Sequence, residues 1–600
     1  MRRSHYLKGN DKVELPQHMV FVDTETKGVQ VSANTEHHRL WFGVAVYVRI
    51  RHVRGKVHQS TEWLEFRSAE TFWAWVETKS LARTRLWVFA HNWNFDAAIL
   101  EAATIPAQRG WELKTYINDK PPFILSFRSA GRTIQLIDTL NYFAGSLESI
   151  GESIGVPKLP FPSYDAPMAT WRAYCRRDVT VLVKAVLSFR QLVGDYELGN
   201  FQPTLASQAM TAYRHRFMPH RILIHGYVDE CRLEREGYFG GRTEAFYLGE
   251  VDETVYYLDI NSMYPYLMRE HPYPTILQGH KRNPTWSYIY EILELYSVVA
   301  HVTVETDEPV YPIRYNHRLV FPLGEFETTL TTPEFRYALE NGHLKKVHYV
   351  AIYENAIIFR DYVDTLYKLR QGFKQSGNDT FQYMTKIMLN ALYGKWGQSG
   401  KKWRDVGDVT VYFPGIKYEE NPDTGEVRKL RCRLGILQEQ SREGETENSF
   451  PAISAHVTAY GRVMLWRLIK QAGKANVYYT DTDSLMVNQQ GYDNLQEHID
   501  PSRLGALKLE ETSSSVTLWG AKDYQFGDTQ HTKGIKKAAV KIGDATWEQD
   551  KFISWDYLVS HQQDGYIPIE RVQKTMHRIY RKGVVEKSGW VAPFEFQAEE

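Results

Sequence analysis

The side chains able to do chemistry fall into two groups of carboxylates set far apart in the chain. In one, Tyr479-Thr480-Asp481-Thr482-Asp483-Ser484 lies between the apolar Val477-Tyr478 and Leu485-Met486-Val487, which puts two acids at the tip of a predicted hairpin. Asp259 belongs with them, at the end of the strand-like Tyr256-Tyr257-Leu258, with Tyr264 and Pro265 following at a fixed offset. Two acids at a turn are ordinarily just turn residues. A third in a matching setting shifts the reading, because phosphoryl transfer from a nucleoside triphosphate needs carboxylates on separate elements that hold two Mg2+ ions about 3.5 to 4 Å apart. Asp259 and Asp483 can fill those roles. Lys386 can set positive charge against a triphosphate, and Asn390 and Tyr393, four and seven residues later, project from the same helical face. Arg370 and Lys374, four apart on the preceding helical stretch, either extend that clamp or form a solvated basic face.

The second group starts with Asp23 and Glu25, two residues apart on a predicted strand and so pointing to one side of it. Such a pair alone reads as a solvated strand edge. His91-Asn92-Trp93-Asn94-Phe95-Asp96 follows the apolar Leu86 to Ala90 and delivers a third acid just beyond a strand end, and Tyr174 and Asp178 share one face of a helix. Four carboxylates and a phenol can bind two metals and position a water against a terminal phosphodiester, which is hydrolysis rather than synthesis.

These residues need several domains to position them, and the chain has the material: 600 residues, 43% hydrophobic and 14% aromatic. The 72 basic and 72 acidic side chains cancel, so any nucleic-acid site must be a local groove rather than a global attraction. Cys175, Cys231 and Cys432 are far apart, with no C-x-x-C spacing, which argues against zinc sites and a disulfide framework and for a reducing compartment. No apolar run approaches the roughly 20 residues of a membrane span, and the basic start, Met1 to Lys8, reads as a flexible end rather than a targeting peptide. To about residue 190, strand-like segments (Met19 to Thr24, Trp41 to Arg49, Leu86 to Ala90, Thr133 to Ile137) alternate with helical ones and close with a helix from Met168 to about Leu192, predicting a compact α/β domain. A second block opens with the strand Thr254 to Ile260. Helical patterns at about 355 to 375 and 378 to 395, parted by Ser376-Gly377-Asn378-Asp379, predict a helical hairpin, and 398 to 450, with Asn421-Pro422-Asp423-Thr424-Gly425, reads as an insertion of β-hairpin character.

At these residues the chain resembles the family B DNA polymerases. Asp259-Ile-Asn-Ser-Met-Tyr264-Pro265 is similar to that family's first palm motif, Lys386-Ile-Met-Leu-Asn390-Ala391-Leu-Tyr393-Gly394 to its fingers motif, and Tyr479-Thr-Asp481-Thr-Asp483-Ser484 to its second palm motif. The resemblance implies Asp259 and Asp483 as metal ligands with Asp481 in support, Tyr264 beneath the incoming sugar, Tyr393 near the nascent base pair, and Lys386, Asn390 and Arg370 on the nucleotide. Ala391 departs from the family's usual Ser. Lys522-Asp523-Tyr524 resembles a Lys-x-Tyr motif that contacts the primer, and Glu510 is a further candidate palm acid. The Asp-x-Glu, Asn-x-x-x-Asp and Tyr-x-x-x-Asp series resembles the proofreading motifs of the DnaQ-like, ribonuclease H-type fold. It implies Asp23, Glu25, Asp96 and Asp178 as metal ligands, Tyr174 assisting the water, and Asn92 and Phe95 orienting a frayed primer end. The implied fold is α/β and α+β multidomain: an N-terminal 3′–5′ exonuclease domain plus a right-hand palm, fingers and thumb.

A finer likeness is to the small protein-primed phage and linear-plasmid replicases. Ser146-Leu147-Glu148-Ser149-Ile150 has the form of their single-strand-binding motif, Lys158-Leu-Pro-Phe161 of their Lys-x-x-apolar motif, and Tyr238-Phe239-Gly240-Gly241 of the Tyr-x-Gly-Gly linker that divides the primer between synthesis and editing. The implied domains are exonuclease 1–190, linker and first palm part 191–304, an insertion like terminal-protein region 1 at 305–357, fingers 358–397, an insertion like region 2 at 398–450, second palm part 451–529, and thumb 530–600, with Lys533, Lys536 and Lys537 as candidate duplex contacts. The resemblance implies Mg2+ or Mn2+, two per active site; primer–template DNA and deoxynucleoside triphosphates as substrates; strand displacement through the second insertion; and a cytoplasmic monomer, in the host-cell cytoplasm if phage-encoded. Priming stays open between a terminal protein, an oligonucleotide and neither, and a single-stranded-DNA-binding protein is an admissible partner. A nuclease whose polymerase half only grips DNA, and a non-catalytic DNA-binding protein, are the competing readings.

Overall fold

The computed structural model describes residues 2–119, 121–420, 427–536 and 538–597; Lys537 and the expected turn at Asn421 to Gly425 lie outside the described residues. The expected α/β domain is built on a ten-stranded sheet. Its centre is the run of His18–Ser32, Arg85–Ala90 and Arg132–Asp138, paired in parallel, with Phe123–Ser129 and Glu112–Asn118 continuing antiparallel on one side. Thr35–Val53 lies on the other side. The central strands are near-continuous apolar runs because both of their faces are covered. Met19-Val20-Phe21-Val22 is wholly buried, with the helix Met168–Asp195 on one side and Trp73, Trp93 and Trp111 in the core on the other.

The edge of Thr35–Val53 is shared. Its inner part, Gly43 to Val53, pairs with Lys56–Phe66, whereas Thr35 to Arg39 pairs with Tyr566–Thr575 from the far end of the chain. Two more strands from that end, Thr546–Phe552 and Val540–Gly543, extend the sheet. The segment expected as a separate thumb, 530–600, is therefore joined by backbone hydrogen bonds to the N-terminal domain. Its last part returns to the other block, where Tyr580 Oη accepts the Ala245 N–H (3.0 Å) and Glu595–Phe596 pairs with Leu323–Thr331.

The expected palm is an antiparallel five-stranded sheet ordered Thr243–Ala245, Val477–Asp481, Ser484–Val487, Val255–Ile260, Leu507–Ser513. Against it lies the helix Pro451–Ala472, buried along most of its length, with Pro451 in the first turn, where a missing N–H costs nothing. The helical hairpin forms as Arg360–Gln375 and Asp379–Trp396: Asn378 caps the second helix through the Phe381 N–H (3.1 Å), and Tyr362 Oη donates to the Met388 carbonyl (2.8 Å). The first helix starts later than expected because Leu344–Ala356 is strand. That strand also moves the first insertion boundary. It pairs with Tyr273–Arg282 and Ser297–Thr306 in one sheet, so the 304/305 division cuts into the end of a strand of that sheet and the unit begins near residue 273. The 398–450 insertion is more than a hairpin: Ser399–Asp408, Lys417–Glu420, Val427–Arg433 and Ile436–Glu445 form a four-stranded sheet. Among the described residues no helix is long and apolar enough to cross a membrane.

Candidate active sites

The polymerase-type acids meet at the middle of the palm sheet. Asp259 stands opposite Ser484 and Asp481 opposite Ser484 on its other side, which brings the strand-end acid beside the hairpin tip. The tip is a tight reversal. Thr482 has φ 63°, the Asp483 N–H donates to the Asp481 carbonyl (2.7 Å), and the Ile260 N–H donates to the Asp483 carbonyl (2.7 Å), tying the two acid-bearing strands together. Burial pushes the Asp259 carboxyl up to about 7, with Asp483 and Glu510 adding to the rise and Lys386 and Lys508 opposing it. Burial also raises Asp483, again against Lys386. Lys386 thus acts on both acids from the helix Asp379–Trp396. Glu510 sits where the strand pairing shifts between Tyr257 and Leu258, a bulge that re-aims its side chain toward Asp259 while Lys508 holds it at 2.8 Å. Asp481 is already engaged, accepting from Thr243 Oγ1 (2.8 Å) and lying 3.4 Å from Lys522 Nζ, in keeping with a supporting part.

Around this centre, Tyr264 is 8% exposed with its ring 5.0 Å from that of Tyr393. Arg370, half-buried and in the field of Asp259, bonds Ser262 Oγ; Asn390 is half-buried on the same helix as Lys386; Lys374 is exposed and outside the site. Tyr524 is buried against Tyr479 (5.3 Å), and the Lys522 N–H donates to Tyr479 Oη (3.0 Å). The linker runs past the same place. A Cβ on Gly241 would lie 2.8 Å from both Tyr264 Oη and Thr482 Cγ2, whereas one on Gly240 would meet nothing within 4 Å. Arg462, paired at 2.8 Å with the wholly buried Glu334, donates to the Phe239 (2.9 Å) and Gly240 (2.8 Å) carbonyls, and Arg314 donates to the Tyr238 carbonyl (2.6 Å). Tyr238 is half-buried beside Gly397.

The second cluster assembles as its spacing implies. Asp23 and Glu25 emerge together from the buried strand, Asp96 accepts from Thr24 Oγ1 (2.7 Å), and Asp178 and Tyr174 come from the long helix. Burial raises Asp23 well above the usual carboxylate range, followed by repulsion from Asp178, Glu25 and Asp96; burial likewise takes Glu25 and Asp96 to about 7 and Asp178 to about 6. One cation answers them: Lys158 Nζ lies 2.8 Å from Asp178 Oδ2 and 4.8 Å from the centre of the Tyr174 ring. Phe161 stands edge-on to Tyr174 (5.6 Å), so the Lys158 motif does belong to this site. Ser146 caps the helix Leu147–Ser153 through the Ser149 N–H (3.2 Å), and Leu147 is buried in the core. Exposed Asn92, at φ 71°, and half-buried Phe95 open onto a cavity of about 680 Å3 whose other wall is Lys536, Lys551, Phe552, Trp555 and Lys574. Exposed Lys533 does not line it.

Two residues escaped the sequence reading. Asp138 holds the Asn92 turn, accepting the N–H groups of Asn92 (2.9 Å), Trp93 (2.8 Å) and Leu140 (2.9 Å); its only signal is an acid ending a predicted strand. Cys175 Sγ lies 3.3 Å from Asp23 Oδ2, and its only signal is its place beside Tyr174.

A family model described as DNA polymerase type B, organellar and viral, matches residues 166–406. The chain is 23% identical over 370 residues to a probable DNA polymerase of Neurospora intermedia, covering 58% of this chain and 37% of that protein. It is 26% identical over 359 residues to a DNA-directed DNA polymerase of Enterobacteria phage PRD1, covering 58% of each. The match thus spans less than two thirds of either relative. Among solved structures it is similar to Phi29 DNA polymerase complexed with primer-template DNA and incoming nucleotide substrates, with TM-score 0.67 and 16% identity over 94% of this chain and 100% of that one. That likeness is one of fold, and it bears out the α/β and α+β multidomain class.

Proposed function

We propose that this chain, similar over residues 166–406 to the type B DNA polymerases of the organellar and viral kind, is a polymerase of that kind, which extends a DNA primer on a template and edits the primer end at a separate 3′–5′ exonuclease centre. The observation that carries the reading is the facing pair Asp259 and Asp483 with Lys386 set against both, three residues each more than 90 positions from the next in sequence. Both acid clusters suit hard divalent ions. Their donors are carboxylate oxygens, their like charges raise one another, and buried Asp178 Oδ1 has no hydrogen-bond partner among the described residues. Asp259 and Asp483 would hold the ions of synthesis, and Asp23, Glu25, Asp96 and Asp178 those of editing. Bound there, Mg2+ or Mn2+ would neutralise phosphate charge and lower the pKa of the attacking hydroxyl or water.

The chain's own groups do the rest. Lys386 Nζ offers its charge to the triphosphate oxygens; Tyr264, held by Tyr393 and the Gly241 backbone, forms a floor under the sugar that leaves no room for a 2′-hydroxyl. Asn390 and Arg370 complete the nucleotide side, and Lys522 and Tyr524 the primer side. In the editing centre Lys158 neutralises Asp178 and lies over the Tyr174 ring, and the Tyr174 O–H orients a water. Asn92 and Phe95 receive the last bases. The insertion sheet faces the N-terminal domain across a cavity of about 500 Å3 lined by Tyr116, Lys401, Trp403, Arg431 and Arg433, a passage suited to a single template strand and a basis for strand displacement.

The test is nucleotide release from a 3′-labelled single-stranded oligonucleotide in Mg2+. Release that is lost in Asp23→Ala and kept in Asp483→Ala supports two independent centres; release that depends on Asp483 sinks that division.

A further inference from the structure

Cys175 brings a donor of a different kind to the editing centre. Its side chain is 0% exposed and projects from the helix Met168–Asp195, with Sγ 3.3 Å from Asp23 Oδ2. Ligand atoms of Asp23, Glu25 and Cys175 all lie within 4.8 Å of one another. A tetrahedral Zn2+ with a thiolate at about 2.3 Å and a carboxylate oxygen at about 2.0 to 2.2 Å sets sulfur and oxygen about 3.5 Å apart. The helix and strand therefore hold this pair within a few tenths of an ångström of that span, with no backbone movement needed. A second observation points the same way. Asp178 is 2% exposed, its Oδ1 has no partner among the described residues, and it is the charged group acting most strongly on both Asp23 and Glu25. The synthesis centre has oxygen donors alone, since the other thiols are Cys231, beside His225, and Cys432, in the insertion strand Val427–Arg433.

We propose that Asp23, Glu25 and Cys175 form a site for a thiophilic divalent ion, Zn2+ or Cd2+, which competes with the ions of nucleotide removal and silences editing while synthesis continues. The silencing rests on the exonuclease reading; the coordination does not. On binding, the S–H bond breaks, its proton leaves to solvent and a sulfur–metal bond forms, with no change of oxidation state. Thiolate prefers such ions to Mg2+, which seeks oxygen. Because Cys175 is fixed in a buried helix beside the strand, little ordering cost opposes that preference.

The experiment titrates Cd2+ alone into the metal-stripped full chain and follows the ultraviolet thiolate-to-metal charge-transfer band, without DNA. The band is expected in the wild type and in Cys231→Ala, and not in Cys175→Ala or in Cys175→Ser, which keeps the packing if the alanine variant fails to fold. A band missing from the wild type, or surviving in both Cys175 variants, overturns the site. Release of nucleotides from a single strand is then measured in Mg2+ with added Cd2+, each variant against its own uninhibited rate. Half-inhibition should need on the order of tenfold more Cd2+ in the Cys175 variants, the least that losing a direct ligand would do. Unchanged inhibition overturns the silencing, and a wild type with no release in Mg2+ alone refutes the exonuclease reading while the band still decides the coordination.

Discussion

Replacing Gly241 by alanine tests how closely the linker and the synthesis centre are fitted. The added Cβ would lie 2.8 Å from Tyr264 Oη and from Thr482 Cγ2, where ordinary contact begins at 3.4 Å, so each of them must give by about 0.6 Å. Tyr264 is poorly placed to yield, being 8% exposed and packed on Tyr393. Thr482 is the turn residue between Asp481 and Asp483, with its N–H on the Arg242 carbonyl (2.6 Å), so its displacement passes to Asp483. A misplacement of about 1 Å costs up to about 100-fold in rate, which puts 0.6 Å at roughly ten- to thirtyfold, or about 1.4 to 2 kcal/mol. The assay is single-turnover incorporation of one nucleotide, beside release from a single strand, which does not use this contact. Gly240→Ala is the control, since its Cβ meets nothing within 4 Å. Wild-type incorporation by Gly241→Ala, or an equal loss in Gly240→Ala, would refute the reasoning.

Lys158→Gln removes the cation facing Asp178 and should slow release from single strands by about 10- to 100-fold without changing incorporation on a matched template; an unchanged release rate argues that the 2.8 Å pair is incidental. Arg462→Met strands the buried Glu334 and should destabilise the fold by about 3 to 5 kcal/mol in denaturant unfolding, with much of the loss recovered in Arg462→Met/Glu334→Leu; additive losses would contradict the pairing. His456, wholly buried with Nδ1 on the Ala452 carbonyl (2.7 Å), has its imidazole pushed down from 6.5 to about 4 by that burial. Its folded pKa lies below the unfolded one, so its contribution is intact above pH 6.5 and is lost as pH falls toward 4, by about 3 kcal/mol. The stability difference between wild type and His456→Gln should carry that slope, and a flat difference between pH 7 and pH 4 would be inconsistent with a neutral buried imidazole.

Much of the placement of the two acid clusters was legible because it is local. Asp259 and Asp483 end or join short apolar strands, and a buried two-residue period leaves little freedom in where their side chains point. Lys386, Asn390 and Tyr393 are fixed by helical spacing alone. What could not be read is what depends on partners distant in sequence. Tyr566–Thr575 alternates as an edge strand would, but nothing in it names Thr35 to Arg39 as its neighbour, so the expected thumb was drawn apart from the domain it joins. The 304/305 boundary followed the insertion slot that the resemblance implies, and nothing in Ser297–Thr306 names its two partner strands, which lie on its C-terminal side in sequence, at 323–331 and 344–356. Asp138 and Cys175 carry no spacing signal, because their roles arise only when the strand and helix ends converge.

The most direct test of the central claim is extension of a labelled primer annealed to a single-stranded circle, with Mg2+ and all four deoxynucleotides, in the wild type, Asp483→Ala and Asp23→Ala. Products longer than the circle, absent in Asp483→Ala and retained in Asp23→Ala, are the predicted result. A primer that is only shortened, with the shortening abolished by Asp23→Ala alone, would mean that the Asp259 and Asp483 centre does not synthesise DNA.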